Sequence, residues 1–423
     1  MSKTNNFQLI DFVIGVGGGE AEGGKDIRIN LNQILYLRYT EDIRQASVRC
    51  EVMITDSQSG VCSLLEGMEP VFIGFQDEKE AWIAHHYVIY DIQDRQSKDG
   101  KSKATLMLCT PDFINNAAMK VSRRFGSGEG KKIHKIIEDD ILGPKGILKS
   151  TNDIFVDETE NVFSFISPYW SPYTIISWLC SKSLPAIKGS GRNASAGYCF
   201  FENKDGYHFK SFDSFHTQAI TRKLIVGHEP STAEEDTEEE KNIIPIREAR
   251  IVSSSDVLKG LNIGSYSSKV MTLDLHNMKY QEFPFNINKY YEDIPLLNEN
   301  PPKPRYYQNF EGDTSATRIM SKITDTALFT SGTYTKGFTR QLSQAALREK
   351  LFYNKQVECE FIGSNILTVG DTVHLTTYKG KEKEEDKFNS GYYVVGKVEK
   401  QYTSSNETMV TKLLLYTDSP GTE

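Results

Sequence analysis

The most constraining feature of the sequence is that its two ends carry the same β patterns in the same order. Val48-Arg-Cys50-Glu-Val52 matches Val357-Glu-Cys359-Glu-Phe361. Leu65-Glu-Gly67-Met-Glu-Pro-Val71-Phe-Ile73 matches Leu367-Thr-Val-Gly370-Asp371-Thr-Val373-His-Leu375. Tyr87-Val-Ile-Tyr-Asp-Ile92 matches Tyr393-Val-Val-Gly-Lys-Val398, and Leu106-Met-Leu-Cys-Thr110 matches Leu413-Leu-Leu-Tyr-Thr417. The clearest blocks alternate apolar and charged side chains, the mark of a half-buried strand. Gly67 and Gly370, each just ahead of an acidic residue and a strand, fit tight turns that need a positive φ. The chain therefore reads as two copies of one small β-barrel with helical material inserted between them.

The remaining segments divide by pattern. Asp99-Gly100 signals a hairpin between the strands at Tyr87–Ile92 and Thr105–Cys109, and Pro111 stops the first sheet. Ile133, Ile136, Ile137 and Ile141 then fall at helical spacing up to Gly143-Pro144. Ser171-Pro172 opens a second helix, carrying Ile175, Ile176, Trp178 and Leu179. A hairpin follows, Tyr198–Phe201 and Tyr207–Phe212 around Asn203-Lys-Asp205-Gly206. The acidic run at 231–241 cannot bury apolar surface and reads as a flexible loop. β patterning returns from Ile246, through Arg250–Val252 and Lys269–Leu275, up to a Pro/Asn-rich connector at Pro295–Pro304. Ile319, Met320, Ile323 and Ala327 predict a helix from about Ala316, and a weaker helical stretch spans about Arg340–Lys350. The expected fold class is α+β, mainly β. A first barrel covers 1–112, an α+β middle domain 113–212, a second barrel 213–285 with 350–423, and a helical insert 286–349.

Composition narrows the function. Lys and Arg number 49 against 57 Asp and Glu, a net charge of −8, which argues against a phosphate-backbone binder. No run of 18 apolar residues is present, so no membrane-spanning helix is expected, and the N-terminus shows no secretory signal. Of the six cysteines, Cys50, Cys109, Cys180, Cys199 and Cys359 lie in apolar patterns and Cys62 apart from them; no CxxC pair occurs. Buried reduced thiols are expected, and neither a disulfide framework nor a zinc site.

Candidate chemical motifs dissolve on inspection. Gly15-Val-Gly17-Gly18-Gly19 lacks the Gly-Lys-Ser/Thr and the following helix of a phosphate cradle, and reads as a loop between two N-terminal strands. His85 and His86 are adjacent on a strand and point to opposite faces, so they do not share a metal. The aromatic run Phe163–Tyr173 reads as core more readily than as a carbohydrate platform. No Gly-x-Ser-x-Gly elbow is present, and no pair of carboxylates stands out. No catalytic residue, cofactor or metal ligand is expected.

Several stretches are similar to the hub proteins of contractile-tailed phage baseplates. They are Trp178-Leu-Cys-Ser-Lys-Ser183 followed by Tyr198-Cys-Phe-Phe-Glu-Asn-Lys-Asp205-Gly206-Tyr207-His-Phe209-Lys-Ser211, then Gly264-Ser-Tyr266 to Leu275, Phe361-Ile-Gly363 to Asp371, and Ser390-Gly391-Tyr-Tyr-Val394-Val395. The resemblance covers most of residues 40–420; the acidic insert 231–241 and the charged loop Lys379–Lys387 depart from it. It implies two tube-type barrels per chain and a homotrimeric, pseudo-sixfold ring that adapts a sixfold tail tube to a threefold spike. The implied partners are tail-tube or tube-initiator proteins, a trimeric spike protein and a tape-measure protein, with DNA passing the channel unbound. The implied place is the virion tail baseplate, assembled in the host cytoplasm. The alternatives are a hub of a type VI-like contractile injection system, or a tail-associated cell-wall hydrolase. The chain ends at Glu423 just after the second barrel, so a spike is expected as a separate chain. Ring interfaces are expected through open strand edges near Val48–Ile54 and Val357–Phe361, with Arg49, Glu51, Glu358 and Glu360 as candidate contact residues.

Overall fold

The computed structural model describes residues 7–16, 25–56, 60–78, 81–98, 101–126, 130–186, 197–227, 242–253, 257–264, 266–275, 278–286, 295–298, 318–324, 348–363, 366–379, 384–405 and 408–421. Alternation builds its main sheet. In the strand Arg49–Asp56, Cys50, Val52 and Ile54 are buried while Arg49, Glu51 and Met53 are half-buried. The strand Lys355–Ile362 repeats this with Val357, Cys359 and Phe361 inward. One apolar face per strand has to lie on a core, so the strands join edge to edge and close over that face.

Fourteen of the described strands form one continuous sheet. Its first half runs, in spatial order, Ile34–Asp42, Arg49–Asp56, Lys101–Cys109, Ala81–Lys98 and Pro70–Glu78, each antiparallel to the next. Gln8–Val16 and Lys25–Arg28 continue it, also antiparallel. The second half runs Glu248–Ser253, Lys355–Ile362, Met409–Thr417, Gly391–Thr403 and Thr372–Thr376, again antiparallel throughout. Order and direction of these five strands recur; the flanking Ile220–Val226 and Ile243–Ile246 differ, because both pairings there are parallel.

The recurrence extends to irregularities. The long strand of each half carries a bulge at the same place, between Ile89 and Asp91 where Ile89 faces Leu108 and between Val395 and Lys397 where Val395 faces Leu415; a second shift, between Gln93 and Gln96, occurs in the first half alone. The register also corrects one sequence match. Cys50 faces Leu108 and Val357 faces Leu415, so Cys50 corresponds to Val357 and Val52 to Cys359. A slip of two residues preserves which face each side chain takes, which is why the pattern alone did not detect it.

Two apolar cores lie under this sheet. One gathers Leu37, Tyr39, Val52, Phe75, Ile89 and Leu106; the other gathers Val357, Phe361, Val373, Val395 and Leu413. The halves are joined by the 13-residue strand Gly391–Thr403. On one edge its first residues pair with Thr372–Leu375, and beyond the bulge Lys397–Thr403 pair with Tyr36–Asp42 of the first half.

The middle segment has its own core. Ile133, Ile136, Ile137 and Ile141 are buried along a helical stretch whose second part, Ile136–Leu142, is a π-helix. They meet Ile175 and Ile176 of the helix Pro172–Cys180, which starts after Ser171. Phe163, Phe165 and Tyr173 of the aromatic run are buried in it, whereas Tyr169 is exposed. The hairpin Tyr198–Asn203 and Gly206–Ser211 lies where the sequence puts it.

The insert differs from expectation. Arg318–Thr324 is a strand, not a helix, and pairs in parallel with Ser267–Asp274, which pairs in turn with Lys279–Asn286. Ile319 and Ile323 are four apart, a spacing that suits one helix face and one strand face equally. Ser267–Asp274 and Lys279–Asn286, assigned by pattern to the second barrel, thus belong to this separate three-stranded sheet. Ala327, residues 340–347 of the weaker helix, the glycine loop 17–24 and the acidic run 231–241 lie outside the described residues.

The bulge generates a prediction. A Cβ added to Gly396 would stand 1.9 Å from Cε2 of Tyr416, whose ring is wedged edge-on against Tyr353. Gly396→Ala should therefore destabilise the fold by about 1–3 kcal/mol, the usual cost of overpacking, read as a lower midpoint in urea.

Candidate functional site

The chemistry-bearing residues concentrate where the hairpin tip of the middle segment enters between the two halves of the sheet. Two buried carboxylates organise this seam. Glu41 is the penultimate residue of the strand Ile34–Asp42 and is 1% exposed. It accepts hydrogen bonds from Tyr39 Oη at 2.5 Å, the Lys204 backbone N–H at 2.9 Å, Thr368 Oγ1 at 2.7 Å and the Val369 N–H at 2.9 Å. One side chain thereby ties the first half, the hairpin turn and the second half together.

Glu202, on the hairpin strand Tyr198–Asn203, ties the middle segment to the first half. It accepts from the Val48 N–H at 3.0 Å, Thr110 Oγ1 at 2.8 Å and Asn152 Nδ2 at 2.7 Å. Burial pushes its pKa up to about 8, against the Thr110 and Val48 hydrogen bonds, which favour the charged form. The turn is locked further by Asn203 Nδ2 donating to Val369 O at 3.1 Å and Lys204 Nζ donating to Ile366 O at 2.9 Å.

A third buried cluster fastens the insert to the end of the chain. The Arg348 guanidinium donates to Asp418 Oδ2 at 2.8 Å and to Pro295 O at 2.6 Å, and it meets His216 Nε2 at 2.7 Å. Asp418 also accepts from the Leu297 N–H at 3.0 Å and lies 3.1 Å from His216 Nε2. Burial opposes ionisation of Asp418, but Arg348, His216 and the Leu297 N–H outweigh it and hold the carboxyl well below the usual range.

The residues singled out by sequence fall in places of different kinds. Gly67 and Gly370 both have positive φ, 108° and 93°. The hydrogen bonds align the turns one residue apart. Met68 N–H donates to Ile89 O and Ile89 N–H to Glu69 O, as Gly370 N–H donates to Val395 O and Val395 N–H to Asp371 O. Met68, at φ 72°, thus stands in the place of Gly370. In each turn the acid caps the residue three before it: Glu69 accepts from the Glu66 N–H at 2.6 Å and Asp371 from the Thr368 N–H at 2.9 Å.

Arg49, Glu51, Glu358 and Glu360 lie on the outer face of the sheet. Their strands are paired on both sides, so the expected open edges are not there; the sheet continues past them. Glu51 is bound by Arg38, the residue facing it, and Glu358 by Arg250, the residue facing it. These pairs are equivalent in the two halves, a recurrence sequence reasoning missed because it had not paired the strands. Glu360 meets Lys412 at 3.5 Å, and the Arg49 guanidinium lies 5.2 Å over the Phe113 ring.

The six cysteines are free and buried, and burial raises the pKa of Cys109 to about 11 and of Cys359 to about 12. His85 lies against Tyr39, and His86 against Phe72 on the other face. Among the described residues no group of three His, Cys, Asp or Glu could hold a metal ion, and no helix is long and apolar enough to cross a membrane.

Such a fold and seam define a mainly β chain whose segments are tied together by buried polar contacts. No family model matches the chain and no curated protein is similar to it. Solved structures do share the fold. The tail protein from Neisseria meningitidis MC58 matches with a TM-score of 0.56 and 8% identity, over 98% of this chain and 98% of its own. The prophage MuSo2 43 kDa tail protein from Shewanella oneidensis matches with a TM-score of 0.54 and 9% identity, over 96% and 98%. The chain has the fold of phage tail proteins, in agreement with the hub resemblance read from its sequence.

Two predictions follow from the seam. Because the folded pKa of Glu202 lies above its ordinary 4.5, the folded state binds the extra proton between those values, so stability falls as pH rises from about 4.5 to about 8. Glu202→Gln should flatten that part of a plot of thermal midpoint against pH. Arg348→Met leaves Asp418 charged and buried without its main partner, and should cost about 3–5 kcal/mol by chemical denaturation.

Proposed function

We propose that the chain is a structural, non-enzymatic hub of a phage tail baseplate, a homotrimer whose two barrel-like halves form a pseudo-sixfold ring. The observation that carries this reading is the recurrence, within one chain, of five strands in the same order with the same bulge and the same cross-strand Arg–Glu pair. A duplicated unit lets three chains present six similar faces to a sixfold tube while keeping a true threefold axis for a trimeric spike. The solved tail proteins with this fold support the same setting, a virion tail.

The outer face of the sheet suits a channel that passes DNA without gripping it. Four of its cations sit beside carboxylates, Arg38 by Glu51, Lys397 by Glu399, Lys412 by Glu360 and Arg250 by Glu358, while Arg49 lies over the Phe113 ring. Paired cations are poor partners for phosphates, whose binding depends on unneutralised Lys and Arg. Arg49, Glu51, Glu358 and Glu360 belong to this face, and we assign them to the lumen or to neighbouring subunits.

The test is the size and symmetry of the assembled particle. Light scattering should give three chains per particle, and end-on images a ring with six lobes and threefold symmetry. A particle of any other order, or six lobes without a threefold difference, would overturn the reading.

A further inference from the structure

The charged loop Lys379–Lys387, which departs from the hub pattern, leads into a turn that covers a buried lysine. Lys355, the first residue of Lys355–Ile362, is 2% exposed, a depth that lysines rarely reach. Its Nζ donates to Phe388 O at 2.6 Å and lies 4.6 Å from the centroid of the Phe388 ring and 5.8 Å from that of Tyr393. Burial lowers the pKa of this amine to about 8, an effect that the charge of Asp386 opposes. A desolvated amine of this kind keeps a neutral, nucleophilic fraction near neutral pH.

The carbonyl that holds the amine belongs to the peptide bond entering Asn389, and the turn around it is fixed. The Asn389 N–H donates to Asp386 O at 3.0 Å and the Ser390 N–H to the same oxygen at 2.8 Å, while Tyr393 Oη donates to Asn389 O at 2.8 Å. Asn389 Nδ2 donates to Asp386 Oδ2 at 2.6 Å. Asn389 Oδ1 and Asp386 Oδ1 are buried and make no hydrogen bond among the described residues, although Lys379 Nζ stands 3.4 Å from Asp386 Oδ1. An amine, a carboxamide and a carboxylate touching that carboxamide thus share one recess beside two aromatic rings. These are the groups needed to exchange one amide for another.

We infer that Lys355 and Asn389 join in an isopeptide bond within the chain, with Asp386 as the acid–base group. Neutral Lys355 Nζ attacks Asn389 Cγ, and the Nζ–Cγ bond forms. A proton of the attacking amine passes to Asp386, which hands it on to Asn389 Nδ2. The Cγ–Nδ2 bond then breaks and ammonia leaves, with Asp386 ionised as at the start. Nothing is oxidised or reduced, and no further reactant enters. Lys355–Ile362 and Gly391–Thr403 lie on opposite edges of Met409–Thr417, and Asn389 stands just before Gly391. The product therefore clasps three strands of the second half, and it forms whether or not the chain serves as a hub.

Intact mass spectrometry of the full chain, followed by tryptic mapping, tests the bond. The folded chain, held at about pH 9 so that the amine is neutral, should weigh one ammonia less than its sequence. Its digest should contain residues 351–379 joined to 388–397, uncut after Lys355. Lys355→Met and Asn389→Ala should each show the full mass of their own sequence, and Asp386→Ala should leave most chains unlinked, all with the circular dichroism of the parent. The digest of the parent decides even where a variant fails to fold. Full mass in the folded parent would overturn the bond. A missing ammonia that persists in Lys355→Met would mark a succinimide at an asparagine and would overturn it equally. Complete linkage in Asp386→Ala would overturn the role of Asp386 and leave the bond standing.

Discussion

The structure depends on one strand that serves both halves of the main sheet. Gly391–Thr403 begins as an inner strand of the second half and ends as the partner of Ile34–Asp42 in the first. Everything else is arranged around keeping that exchange in place. Gly396 sits at the bulge where the partner changes, with Tyr416 over it. Glu41 fixes the far side by holding the turn at Lys204 and the loop at Thr368 and Val369. Burying such a carboxylate is costly unless its lone pairs are filled, and at Glu41 four donors fill them. Few alternative dockings of the two halves would supply donors at those positions, so the charge selects a geometry rather than merely stabilising one.

Much of this was legible in the sequence, and what was not has physical causes. Alternation identified the strands and the inward faces of Cys50, Val52, Val357 and Cys359, because a half-buried strand cannot hide its period. It left the register open by two residues, because such a slip changes no face. Ile319 and Ile323 misled for the related reason that a spacing of four belongs to both periods. The turns were found through Gly67 and Gly370, but the true counterpart of Gly370 is Met68, a residue whose positive φ no composition rule would suggest. The seam itself was invisible. Glu41 and Glu202 look like ordinary strand carboxylates until the partners more than a hundred residues away are known.

The two halves resemble each other most where the sheet is constrained on both sides, and diverge at its far margin. Ile220–Val226 and Ile243–Ile246 run parallel to their neighbours, whereas Gln8–Val16 and Lys25–Arg28 run antiparallel. In the second half the chain enters that margin directly from the middle segment, through Phe212–His216. Connectivity thus decides direction where hydrogen bonding would accept either.

The exchange strand has a mechanical meaning. Beyond the bulge, Lys397–Thr403 and Tyr36–Asp42 lie side by side and antiparallel, so a pull along their common axis loads the whole ladder in shear. A pull across it would peel the pairs apart one after another, from whichever end is weaker. Glu41 lies close to one end of that ladder, where Val398 faces it, and its anchored carboxylate blocks the start of such peeling. A module built this way resists load best along its strands and yields most readily across them.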